Sequence, residues 1–117
     1  MRTIPWLIAG APIVLLALAS PSSPAPLPPS QTKAVQLLAD VTLIDSECRK
    51  VNANFGVAFR YAEEQGVHAV DIMPLGRHRA EFQSASDRRL STTAPDELCG
   101  SFMLQYERDF LGLFAER

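Results

Sequence analysis

The sequence predicts an all-α protein, a small three- or four-helix bundle stapled by one disulfide. Three observations predict it: apolar or small residues at steps of three and four from Ala34 to Ala62, a second such run from Leu98 onward, and a cysteine in each run. In the first run Ala34, Leu37, Val41, Ile44, Cys48, Val51, Phe55, Ala58 and Ala62 stay in one helical phase. Thr32 suits the N-cap and Gly66 the residue just past the C-terminus, so one long helix is expected over residues 32–65. The stretch NANFG at 52–56 contains poor helix formers, so a bend there is expected, with two helices meeting near residue 53 as the alternative.

Residues 67–73 (VHAVDIM) are apolar, carry β-branched side chains and stop before Pro74, a pattern that reads as a short extended segment across the core. Gly76 marks a turn, and residues 77–90, with Phe82 and Leu90 as their only large apolar side chains, predict a weakly amphipathic, mostly exposed helix. The last helix opens with Thr93 three residues before Asp96, a capping-box spacing, and with Pro95 in the first turn. Along it Leu98, Phe102, Tyr106, Phe110 and Phe114 recur every four residues, and Met103, Leu111 and Leu113 widen the face. Such a surface must bury itself, and the first helix presents the matching stripe.

The folding unit is expected to be residues 31–117. Residues 1–19 read as a signal peptide, with Arg2, an apolar stretch from Ile4 to Ala19 and an Ala17-x-Ala19 cleavage pattern. The stretch is short for a bilayer span and contains Pro5 and Pro12, so no stable membrane span is expected after processing. Residues 20–30 are proline-rich and read as a disordered linker. Export bears on Cys48 and Cys99, because a pair of cysteines in an oxidising compartment reads as a disulfide. Closing so long a loop contributes about 4 kcal/mol in the chain-entropy model. No C-x-x-C spacing favours a redox role.

Without Arg2 the exported product carries 10 basic and 13 acidic residues, a balance that argues against a nucleic-acid partner. The charge is uneven along the chain. Residues 73–92 hold Arg77, Arg79, Arg88 and Arg89 against Glu81 and Asp87, while both flanks are acidic. Forked guanidinium groups suit carboxylate or phosphate, which makes these four arginines the candidate site for an anionic ligand or partner. A second constellation is His68 with Asp71 and His78 with Glu81, each an imidazole and a carboxylate three residues apart, a spacing compatible with metal ligation or acid-base chemistry on a helical turn. The serines lack a G-x-S-x-G setting, no glycine loop cradles a phosphate, and no cofactor motif is present.

The function these features predict is that of a small exported helical protein, acting as a non-catalytic binding module for a protein or an anionic component of the cell envelope, periplasmic or secreted. One alternative is a metal-assisted hydrolase built on His68, Asp71, His78 and Glu81. The other rests on size, helicity and a single disulfide, which resemble the periplasmic acid-stress chaperones at the level of fold, without a shared motif.

Overall fold

A computed structural model of the chain describes residues 26–117. The expected signal peptide at 1–19 and most of the expected linker lie outside the described residues. The protein is mainly helical, with a disulfide between Cys48 and Cys99 (S–S 2.04 Å) and one small antiparallel sheet. Helix α1 (Pro29–Glu47) starts two residues before the expected domain boundary, because Pro29 at its first position needs no backbone donor there. Leu27, just ahead of it, already packs against the core.

Helix α1 is the axis of the bundle. From Ala34 to Ile44 nearly every side chain is buried, including Val35, Leu38, Ala39 and Leu43, which lie off the stripe expected from periodicity. A helix apolar all round is one surrounded by partners. Here they are α2 (Phe55–Glu64), α4 (Arg79–Thr92) and the C-terminal helix.

The single helix expected over residues 32–65 is two helices. The first ends at Glu47 and Cys48 turns extended, after which Val51–Ala53 form β1, paired with β2 (Phe114–Glu116) in the register Val51↔Glu116 and Ala53↔Phe114. Asn54 then caps α2, its side-chain oxygen accepting from the Val57 N–H at 3.4 Å. The apolar phase runs through because Val51 and Phe55 are both needed by the core, Val51 from a strand and Phe55 from the first turn of the new helix. The Asp45 carboxylate accepts the Ala53 N–H at 2.9 Å, and Arg117 donates to the Val51 carbonyl, so the strand pair is anchored to the end of α1.

Gly66 closes α2 as expected, with φ +88° and with hydrogen bonds from Gly66 N to Glu63 O and from Val67 N to Ala62 O. Residues 67–73 are not one extended segment, although His68 and Met73 keep extended backbone at either side of a helical turn. His68 precedes a single helical turn, α3 (Ala69–Ile72), because the Asp71 carboxylate reaches back to accept the His68 N–H at 2.8 Å. The turn after it is tight. Leu75 has φ 70°, rare for a residue with a side chain, and Gly76 lies so close to the carbonyls of Val70 and Asp71 that a Cβ would collide with both. Val70 on α3 and Met73 and Leu75 in this loop are exposed.

The middle helix forms as α4, Arg79–Thr92, burying Phe82 and Ala85 and leaving most of its surface in water. The C-terminal helix begins after Ala94, not Thr93, with Glu97 accepting the Ala94 N–H. It runs as α5 (Pro95–Glu97), a wide π-helical turn (Leu98–Phe102) carrying Cys99, and α6 (Met103–Asp109). It stops short of Leu111, Leu113 and Phe114, which therefore do not extend its face. The Glu107 carboxylate accepts the N–H groups of Gly112, Leu113 and Phe114 and bends the chain toward β2. Leu113 is fully buried, whereas Leu111 points into solvent.

Gly76→Ala must push apart two carbonyl-bearing turns and is expected to cost about 1–3 kcal/mol, read as a lowered urea midpoint. Leu75→Gly, which removes the positive-φ penalty at the neighbouring position, is expected to change the midpoint by less than half as much. Equal losses in the two variants would show that Gly76 is not held by this close approach.

Candidate functional site

The site grows from an acid placed where an aliphatic residue is expected. Asp40 sits in the run LLADVTLI on the central helix and has no exposure to solvent. An ionised carboxylate there must be fully hydrogen-bonded. Its Oδ1 accepts from Gln36 Nε2 and from Arg89 Nε, each at 2.9 Å, and its Oδ2 accepts from Arg89 Nη2 at 3.1 Å and from the Tyr106 hydroxyl. One buried group thereby ties α1 to α4 and to α6.

Arg89 is held on a second side. Its Cζ lies 4.3 Å from the centroid of the Phe102 ring, at the end of the π-helical turn. The hydrogen bond to Asp40 binds the guanidinium proton more tightly than usual, against the cost of burial. Burial, and then the adjacent Asp40 charge, push the Tyr106 phenol well above its ordinary range, so it is a donor at any physiological pH.

The Asp40 pairing uses Nε and Nη2 of Arg89. Nη1 bonds to no described residue, yet it is not a buried, unsatisfied atom, so it is reachable from outside. Arg89 lines a pocket of about 330 Å3 together with Lys33, Phe102, Gln105, Tyr106 and Asp109. Neither Lys33 nor Asp109 forms an ion pair with another described residue. Its lining therefore combines a guanidinium held by Asp40 with an ammonium and a carboxylate that form no ion pair among the described residues, around aromatic surface.

The four arginines of the expected anion site do not line one pocket. Arg77 is paired with Asp71, its Nε 2.9 Å from Oδ1, and also reaches the Gly66 carbonyl. Arg79 donates to the Ile72 carbonyl at 2.7 Å and lies over Phe82. Arg88 donates to Gln36 Oε1 and borders a separate groove of about 370 Å3 between α1 and α4, with Leu27 and Val35 among its lining. Only Arg89 enters the pocket described above.

The His and carboxylate pairs are brought into one region but not into one ligand set. Asp71 is committed to Arg77 and to the His68 N–H; burial raises its pKa, and these partners outweigh that and hold it below the usual carboxylate value. His68 is exposed, His78 is buried with Nε2 unpartnered, and Glu81 faces the α1–α4 groove with one oxygen buried and unpartnered. Among the described residues no group of three or more His, Cys, Asp and Glu side chains could hold a metal ion. Nor is any described helix long and apolar enough to cross a membrane.

Sequence reasoning passed over Asp40, Gln36, Lys33, Gln105 and Asp109, and took Tyr106 only as part of an apolar face. A carboxylate inside an unbroken apolar run was the available signal, since such residues are almost never fully buried without a partner. No protein-family model, curated protein or solved structure matches the chain.

Asp40→Asn leaves the shape of the network and removes the charge that Arg89 was buried against. It is expected to cost about 3–5 kcal/mol in chemical denaturation, whereas Tyr106→Phe, which removes one of four hydrogen bonds, is expected to cost about 1.5–3 kcal/mol. A larger loss for Tyr106→Phe than for Asp40→Asn would show that the Asp40 charge is not what holds the network.

Proposed function

We propose that this is a small exported protein of the cell envelope that acts by binding, without covalent chemistry, and that its ligand presents an anionic group to Arg89. One observation carries this reading. A guanidinium fixed in direction by a buried carboxylate and an aromatic ring lines a pocket, and its Nη1 bonds to no described residue. A side chain needed only to neutralise Asp40 has no requirement for an accessible edge. Preorganisation also lowers the entropic cost of ligand binding, because the long arginine side chain is already ordered. Lys33, on the same rim, adds a second positive charge.

Titration of the disulfide-bonded protein with benzoate, followed by amide chemical shifts, is expected to perturb Lys33, Arg89, Phe102 and Gln105. Lys33→Ala, which touches none of the Asp40 network, is expected to weaken binding by about fivefold, corresponding to ~1 kcal/mol. Perturbation confined to Arg77 and Arg79, or none at millimolar benzoate, would overturn the reading.

A second reading, an acid-opened chaperone, is favoured by a different observation. Four of the polar ties run through carboxylates: Asp40 to α4 and α6, Asp45 to β1, Asp71 to Arg77 and the start of α3, and Glu107 to the approach of β2. The covalent tie, Cys48–Cys99, does not titrate. Because Asp71 is held below its ordinary pKa in the folded state, its contribution to stability is complete above about pH 4 and is lost as pH falls through the lowered value. On this reading near-UV circular dichroism collapses at about pH 2–3 with the disulfide intact, and the opened protein suppresses aggregation of a client. A protein that keeps its tertiary signal and leaves the client unprotected at that pH would remove it.

A further inference from the structure

We infer that the Arg89 pocket is built for a zwitterion, a free α-amino acid or the equivalent end of a small molecule with an apolar or aromatic side chain. This deepens the anion-binding reading and rests on it. If the ligand were simply an anion, a pocket this small would gain nothing from a free carboxylate on its rim, since like charge repels. Asp109 is such a carboxylate. It lines the same pocket as Arg89 and Lys33 and is paired with neither.

Asp109 is also the last residue of α6, where the carbonyls of the final turn leave the negative end of the helix. Carboxylate and helix end together favour an ammonium group on that side. The same lining is also positive: Arg89 keeps Nη1 free of bonds to described residues, and Lys33 adds a point charge from the first turns of α1. The Phe102 ring, already stacked under the guanidinium, and Tyr106 supply its aromatic surface. A ligand carboxylate bonded to Arg89 and Lys33 therefore places its ammonium toward Asp109 and its side chain against the aromatic rings. Gln105, with both an amide donor and a carbonyl acceptor, sits on the same wall and can serve either pole. The pocket, about 330 Å3, suits a single residue and not a folded partner.

The recognition chemistry separates into two halves that can be removed independently, from the ligand or from the protein. The test is a chemical-shift titration of the disulfide-bonded protein with L-phenylalanine, its amide, and its N-acetyl derivative. Phenylalanine is expected to bind about tenfold more tightly than either derivative. Asp109→Asn is expected to abolish the preference over the N-acetyl derivative while keeping the preference over the amide, and Lys33→Ala to reduce the latter alone. Both variants lie on the exposed rim and leave the Asp40 bonds in place, and an unchanged urea midpoint checks that they do.

Equal binding of phenylalanine and its N-acetyl derivative would overturn the zwitterion inference and leave the anion reading standing. Equal binding of phenylalanine and its amide would overturn both. Absence of binding by all three at millimolar concentration, where benzoate binds, would overturn the zwitterion inference alone.

Discussion

The carboxylate of Asp40 is the constraint around which the rest of the molecule is arranged. A charge placed on the central helix without access to water must be compensated by groups that arrive from elsewhere in the chain, and the nearest in sequence, Gln36, supplies only one of four donors. The others come from Arg89 and Tyr106, 49 and 66 residues away. Their geometry fixes the rotation of α4 and α6 about the axis of α1, because a forked guanidinium and a phenol can meet the same carboxylate only in narrow orientations. Apolar packing alone sets no such orientation. Phe82 and Ala85 would hold α4 on α1 with some freedom to slide.

The disulfide acts at the other end of the same pair of elements. Cys48 ends α1 and Cys99 sits in the π-helical turn, so the covalent tie and the Asp40 network hold the C-terminal helix at two places along its length. Around the disulfide, Ile44, Val51 and Leu98 form a small apolar cluster, and the β1–β2 pair closes over it. The π-helical turn has a consequence for the pocket. It widens the helix between Cys99 and Phe102, and Phe102 emerges from it beneath Arg89 while Tyr106, one turn on, reaches Asp40. The structural role of Arg89 and the binding role proposed for it thus fall on different nitrogens of one group.

Periodicity identified the existence and type of the main helices but misjudged where the first one ends. The apolar residues Cys48, Val51 and Phe55 continue the helical phase although the backbone leaves the helix at Cys48, because a strand and a cap can deliver side chains to the same core that a helix would. The same ambiguity carried the last helix on to Phe114, where Glu107 instead captures three backbone N–H groups and turns the chain. At residues 67–73 β-branched content suggested an extended segment, and the local bond from His68 to Asp71 overrode it.

By itself the sequence determined that the protein is helical, that its two cysteines sit on elements able to meet, and that Gly66 stops a helix, since each of these depends on local spacing or on the small set of residues that tolerate a given backbone geometry. It also showed arginines suited to an anionic partner. Only the tertiary structure decided how they are distributed. Arg77 and Arg79 are taken up by Asp71 and a carbonyl, Arg88 bonds Gln36 beside the α1–α4 groove, and Arg89, held by Asp40, lines a different pocket with Lys33 and Asp109. The physical reason is range. A helical period relates residues three or four apart, while the partners of a buried charge are chosen by desolvation across the whole fold, without regard to distance along the chain.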